Sequence, residues 1–476
     1  MRLGGSGDSR VQVTKAEPGP DPDPEFSGLL MPELGKYGLM QRVGETNSRR
    51  RVALVLAALF VVSRLVFVWL AIDQSVYPGD VQGDVDDVYA EYARQIENGE
   101  DPYVDLAIEY PPGTLPFLTI PESFDWLQYR TAFVLLMLLV DVVGLIGVWR
   151  VSRRWGSYAG VFAWIAGIPL LGPLAYVRLD LVAGAATIWA VERIAHKGWT
   201  GAGGWLGFGA LAKLYPVLLL PQALVGGRRR GRLVAAFFGI LILGILAVGA
   251  PLEPLWASII GYHGKRGVHI ESTWGLVLEA LTSLSPAIRA PIEHSHYTYH
   301  YTGPVADLAK EAGMLLSLAA VVYGTWLSGV AGPDERERRV AATMFGTLAT
   351  VVALGTIFSP QYVIWVIALA AVALCDRDSS IRPAAWLVLP VALLTQFVYP
   401  LWYAWIIHPH PAGMTVISLR NGLLLVSGLL SLWLIWRTRT PSREAAPAVS
   451  KGISIPAAAS MPSAPRREEV KPRRAA

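Results

Sequence analysis

A single cysteine, Cys375, stands in a chain of 476 residues. That excludes an intrachain disulfide and any cysteine-based metal site, and it leaves the thiol as a small apolar wall residue. Charge is scarce as well: 16% of the residues are Asp, Glu, Lys or Arg, 53% are hydrophobic, and the mean hydropathy is +0.41. A soluble domain of this length would carry more polar surface, so the solvent of this chain is mainly lipid. No long apolar run precedes Val52, whereas a secretory leader would need one near the start, so no cleaved leader is expected. The net charge of +4 comes as short runs of Lys and Arg between apolar segments. No basic stripe exists to follow a phosphate backbone, which excludes nucleic acid as a partner. There is no internal repeat of solenoid period either.

What is present is a series of apolar runs, near 52–71, 131–149, 157–177, 180–195, 232–250, 306–329, 339–358, 361–375, 383–399 and 419–436. Each is read as long enough to cross about 30 Å of hydrocarbon at about 1.5 Å per residue. The expectation is an all-α, polytopic integral membrane protein with about ten transmembrane helices. Residues 51–437 form its membrane-embedded domain, while the Gly/Pro-rich residues 1–50 and the Ala/Pro/Ser/Arg-rich residues 438–476 read as disordered cytoplasmic tails.

Basic clusters at Arg49 to Arg51, Arg150 to Arg154, Arg193 with Lys197, Arg228 to Arg232, Arg336 to Arg339, Arg377 with Arg382, and Arg437 to Arg443 should all be cytoplasmic. They share one side only if residues 201–226 enter and leave by the same face as a re-entrant pair; one long tilted span is the alternative. The midpoint of that segment, Lys213-Leu214-Tyr215-Pro216, has a helix-breaking proline and an ammonium that would need a partner or a water-filled cavity at membrane depth. Both termini are then inside, and the long loops 73–129 and 251–305 are outside.

In the first outer loop Val85, Val88, Tyr89, Tyr92 and Ile96 recur at helical spacing, which predicts an amphipathic helix at the membrane surface, ending near Asn98-Gly99. Asp84, Asp86 and Asp87 open it. Capping the helix and favouring its dipole would explain one such acid, but three in four positions exceed what a cap needs. Asp86 shares a face with Tyr89 and Asp87 points about 100° away. A carboxylate beside an apolar ledge can gain basicity by burial and serve as a general base. Glu109-Tyr110-Pro111-Pro112 then forms a rigid turn back to the bilayer.

The run from Asp86 to Pro112, with Tyr at +3, Gly at +13, Pro-Tyr and Tyr-Pro-Pro, resembles the first outer loop of glycosyltransferase family 87, a member of the GT-C superfamily. The likeness extends to Arg178-Leu179-Asp180, Leu211 to Pro216, Arg266 to Ser272, and Ser359-Pro360-Gln361-Tyr362 before Trp365. The resemblance implies a GT-C-like fold and an inverting hexosyltransferase. Its donor would be a polyprenyl-phosphate sugar, often mannose, used as co-substrate with no cofactor; its acceptor would be lipid-linked or part of the cell envelope. It also implies that an acid of the first outer loop is the base, falling on Asp86, with Asp84 and Asp87 as its alternatives.

Glycosyl transfer from a lipid phosphate passes through an oxocarbenium-like state, so one group must take the acceptor's proton and others must stabilise the departing phosphate. Phosphate candidates are Arg266 first, then Lys265, His269, Arg178 and Lys213, with Tyr262 and His263 alongside. Solvating a loop or touching head groups would be the blander role for such residues, and Arg178 has the further option of pairing with Asp180. Sugar or acceptor contacts are expected from Tyr89, Tyr110, Glu271, Gln361 and Tyr362. His294, His296 and His300, among Tyr297, Tyr299 and Tyr301, could in principle ligate a metal, but no carboxylate other than Glu293 completes a familiar pattern and loop histidines are usually structural, so no metal site is expected. A transporter or flippase of a lipid-linked precursor is the main rival, because substrate pathways also use helix breaks and mid-membrane lysines. Transporters usually show two related halves, whereas here the acidic loop after the first span has no counterpart. A non-catalytic assembly partner sharing the fold is a third reading.

Overall fold

With no water to satisfy backbone groups in hydrocarbon, an apolar chain must fold into helices whose hydrogen bonds close within each segment. The computed structural model follows this rule. It describes residues 27–438 apart from 74, 227–228, 262–263, 265, 286, 296–297 and 333–334, with the backbone alone for 27–49, 226 and 260. Helix α1 runs Ser27–Ile72, so its backbone is already helical inside the stretch read as an N-terminal tail; residues 1–26 and 439–476 lie outside the description. Next come α2 (Ala90–Glu97), α3 (Tyr129–Trp155), α4 (Ala159–Leu170), α5 (Asp180–Ala195), α6 (Trp199–Ala212), α7 (Leu220–Gly226) and α8 (Arg230–Val248). The second half holds α9 (Thr273–Leu284), α10 (Pro304–Gly329), α11 (Arg336–Leu354), α12 (Tyr362–Leu374), the interrupted helix α13 (Arg382–Leu401) and α14 (Pro411–Arg437). The second long loop adds a small antiparallel sheet, β1 (Val268–His269), β2 (Ile292–Ser295) and β3 (Thr298–Tyr301), in the order β1-β3-β2.

Each of the expected spans contains a helix, though 157–177 breaks after Leu170 and 339–358 ends its helix at Leu354. Among the described residues, 5 helices are long and apolar enough to cross a membrane by length and composition: α1 from Arg50, α3, α8, α13 and α14. Helices α4 and α12 are shorter. Every residue of α12 from Val363 to Leu374 is buried, as is nearly all of α5, so these are apolar on all sides because they form the centre of the bundle. Lipid-facing side chains concentrate on α1, α8 and α10, where Leu65, Leu246 and Leu308 are each exposed. Residues 201–226 form a helix, a break and a second helix: α6 ends where Lys213 becomes extended, and Tyr215–Leu219 resumes as a 3-10 turn into α7. Neither arm alone reaches about 30 Å.

Contacts bring several of the basic clusters together. Arg150 pairs with Glu192 at 2.6 Å, Arg338 with Asp376 at 3.1 Å, and Arg382 donates to Ser157 Oγ at 3.3 Å. From there α5 climbs about 22 Å to Asp180 at its other end, where the long loops meet. Helices α4 and α12 approach closely at Gly160, where a Cβ would meet the Ala371 carbonyl oxygen and Cys375 Sγ inside contact distance. The thiol is buried and donates to Ala371 O at 3.3 Å, the wall role its isolation suggests. Gly160→Ala should cost about 1–3 kcal/mol by overpacking. A lowered thermal midpoint in fixed detergent is the readout, and an unchanged one would mean the two helices slide apart freely.

Candidate active site

The loops enclose a cavity of about 620 Å³. Its first wall is the start of the acidic loop. Asp80 accepts from the backbone N–H groups of Gln82 and Gly83, each at 3.0 Å, and so shapes the approach to Asp84. Asp84–Tyr89 is a wide, π-type helical turn that passes into α2, as the apolar spacing predicts. Val85 and Tyr89 face the core; the Tyr89 ring packs 5.4 Å from Phe133 and edge-on, 5.5 Å, to Tyr110.

The three aspartates have different surroundings. Asp84 lines the cavity and pairs with Arg178, Nε to Oδ2 3.1 Å. Asp86 is gripped by Arg130 at the start of α3: Nε donates to Oδ1 at 2.8 Å and Nη2 to Oδ2, while Nη1 reaches Ile72 O at 3.2 Å. Asp87 is exposed. Neither Asp86 nor Asp87 lines the cavity, and neither does Tyr89. Of the three, only Asp84 is offered to the cavity, since Asp86 is turned to Arg130 and Asp87 to the exposed side of the turn.

Arg178, the junction between a 3-10 turn and α5, does not pair with Asp180. Besides Asp84 it clamps the loop backbone, Nη1 donating to Val81 O at 2.9 Å and Val177 O at 2.8 Å. Burial would weaken its charge, but Asp84 opposes that and the guanidinium is held above its ordinary pKa. Asp180 turns instead to Lys213 at 3.7 Å. The Lys213 ammonium lies 5.0 Å over the Tyr110 ring and lines the cavity. On the floor, Tyr215, Trp365 and Tyr362 form a continuous stack, with Gln361 beside them. Glu109 also lines the cavity and accepts from Tyr92 Oη at 2.8 Å.

The second loop supplies Arg266, His269 and Glu271. Lys310 holds this loop by donating to Gly264 O at 2.8 Å and Arg266 O at 2.9 Å. Burial first, then His300, Arg266 and Arg420, push the His269 pKa down to about 3. His269 is therefore a neutral imidazole, Nδ1 donating to Phe358 O at 3.2 Å, and brings no positive charge to a phosphate. Burial lifts the Glu271 carboxyl to about 7 against the opposing Arg420. Arg420 reaches Glu271 Oε2 at 3.1 Å and Glu271 O at 2.6 Å from α14, with Asn421 adding 3.1 Å to the same carbonyl.

Of the residues expected to act here, Asp84, Tyr110, Arg178, Lys213, Arg266, His269, Glu271, Gln361 and Tyr362 are brought together. Lys265, Tyr262, His263, His296 and Tyr297 lie outside the described residues. Among the described residues no group of three or more His, Cys, Asp or Glu could hold a metal ion; the His294 ring lies tilted against Tyr299, centroids 4.7 Å apart. Asp80 and the pair Arg420-Asn421 escaped the sequence reading, and Glu109 and Trp365 entered it only as part of a turn and at the end of a motif. Arg420 carried a usable signal, since an arginine inside an apolar run asks for a partner.

No curated protein matches the chain. The crystal structure of ArnT from Cupriavidus metallidurans bound to undecaprenyl phosphate is similar at 14% identity and a TM-score of 0.44, over 80% of this chain and 76% of that one. The model of glycosyltransferase family 87 matches residues 108–360, just over half of the chain. That stretch starts two residues before Tyr110, after the aspartates, and takes in Arg178, Lys213, Arg266, His269, Glu271 and Pro360 of the cavity wall. Length of match and content of the cavity agree, and the chain belongs to glycosyltransferase family 87.

Proposed function

We propose that the chain is an inverting hexosyltransferase that moves a sugar, mannose in the first instance, from a polyprenyl-phosphate donor to a lipid-linked or cell-envelope acceptor on the outer face of the membrane. The observation that carries this reading is the cavity itself. It joins a carboxylate of the first loop, Asp84, to cations from two other segments, Lys213 and Arg266, as a single displacement requires.

In this reading Asp84 takes the proton of the acceptor hydroxyl as its oxygen bonds to the anomeric carbon. The bond from that carbon to the phosphate oxygen breaks on the opposite face, and the charge left on the lipid phosphate is met by Lys213 and Arg266. Asp84 is preferred to Asp86 because Arg130 occupies both oxygens of Asp86. It is preferred to Glu109 and Asp80 because these are engaged by Tyr92 and by loop backbone N–H groups. Arg178, pinned to Val81 O, orients the base rather than binding phosphate. The neutral His269 imidazole and the Glu271 carboxyl group suit the hydroxyls of a sugar, and the Tyr215, Trp365 and Tyr362 stack suits its apolar face.

The reading is tested by incubating the purified protein in lipid with polyprenyl-phosphate hexoses and an envelope-lipid extract. A hexose mass increment on an acceptor is expected with the lipid-phosphate donor and not with a nucleotide sugar. Silence with every lipid-phosphate donor, together with movement of a labelled precursor across vesicles, would favour the transporter instead.

A further inference from the structure

Arg178 and Asp180 are two residues apart and oppositely charged, yet each is committed elsewhere, Arg178 to Asp84 and Asp180 to Lys213. Asp180 is 1% exposed and does not itself line the cavity. Its two oxygens divide their work. Oδ1 accepts the Trp365 indole N–H at 2.8 Å, and Oδ2 stands 3.7 Å from Lys213 Nζ. Both partners do line the cavity. Trp365 is held between Tyr215 at 4.4 Å and Tyr362 at 3.9 Å, with ring planes 15° and 20° apart. The Tyr215 hydroxyl is anchored on the same helix as Asp180, to Thr187 Oγ1 at 2.7 Å and Ala183 O at 3.0 Å.

A buried carboxylate is expensive to desolvate, and neutral replacements of buried ion pairs are often no less stable. An asparagine at 180 would still accept the Trp365 N–H, so fixing the platform does not by itself call for a charge. What the charge adds is a hold on Lys213, whose flexible stem would otherwise let the ammonium wander. The Tyr110 ring limits it on another side.

We propose that Asp180 is a positioning residue for phosphate recognition: from behind the cavity wall it fixes the Lys213 ammonium and the Trp365 platform as one unit, so that an anionic lipid phosphate meets a cation already in place. The proposal rests on the reading of Lys213 as a phosphate-binding group. Preorganisation of this kind raises affinity by removing the cost of ordering the side chain on binding.

The test uses the full chain in lipid nanodiscs and undecaprenyl phosphate as the probe. Lys213→Met is expected to raise the Kd roughly tenfold, the loss of one charge-assisted contact. Asp180→Asn is expected to raise it by a similar factor, and the double variant should bind no worse than Lys213→Met alone. A carboxylate that merely supports the fold would give losses that multiply. Unchanged binding in Lys213→Met removes the Lys213 reading and this proposal together. Weakened binding in Lys213→Met, with Asp180→Asn either silent or fully multiplicative, overturns the role of Asp180 alone. If Asp180→Asn does not yield folded protein, Asp180→Glu, which keeps the charge one methylene farther along, is expected to weaken binding less and to have no further effect beside Lys213→Met. A multiplicative loss there overturns the proposal equally.

Discussion

Asp84→Asn is expected to lower the turnover number by roughly 10²–10⁴-fold, the range that a positioned general base contributes. The amide keeps the shape and the hydrogen-bonding reach of the carboxylate but cannot take a proton from the acceptor. Lys213 and Arg266 are untouched, so affinity for undecaprenyl phosphate should stay within about twofold of the parent. Asp86→Asn provides the contrast. It weakens the two-pronged grip of Arg130, which ties the acidic loop to α3, and its effect should appear in thermal stability more than in turnover. Initial rates at saturating donor decide the matter. Full activity in Asp84→Asn with loss in Asp86→Asn or in Glu109→Gln would move the base to another carboxylate.

The second large effect belongs to Arg420→Met. Arg420 is 0% exposed and Glu271 2% exposed, so removing the guanidinium leaves a carboxylate in the interior with no counter-charge. Breaking a buried pair from one side costs about 3–5 kcal/mol, read as a fall in the thermal midpoint. The loss should depend on pH in a definite direction. Burial raises the Glu271 pKa from 4.5 to about 7, so the folded protein holds that proton more tightly than the unfolded chain does. The corresponding stability is complete below about pH 4.5 and disappears as the pH rises through about 7. Without Arg420 the ionised form is worse still, so the deficit of the variant relative to the parent should be smaller at pH 5 than at pH 8. A deficit equal at both values would mean that Arg420 acts through packing, for instance against the Phe358 ring 4.0 Å away, and not through charge.

Lipid makes the gross fold easy to read, because it demands long apolar helices and tolerates few charges within them. The runs at 131–149, 180–195 and 232–250 therefore fall inside α3, α5 and, nearly, α8. The break at Lys213 and the amphipathic turn after Asp84 follow from equally local chemistry, a proline and a periodicity. The facing of the aspartates did not. It depends on Arg130 and Arg178, 44 and 94 positions farther on, and spacing along the chain carries no trace of such partners. The same holds for Arg178 and Asp180, whose closeness in sequence suggested a pair that folding does not make. Arg420 was legible in principle, since its burial needed an acid, but only the folded loop shows that the acid is Glu271.

Helices α8 and α12 are both strongly apolar, yet 11% of the membrane window is buried in α8 while α12 is enclosed from Val363 to Leu374. Acyl chains conform to any greasy outline, so Ile242, Leu243 and Leu246 can be exchanged for one another at almost no cost. Neighbours packed around Ile364, Ile367 and Leu369 accept only the volume that fits. Two helices of similar composition should therefore drift at different speeds over evolutionary time, with α8 recording the membrane it lives in and α12 recording the shape of its own interior.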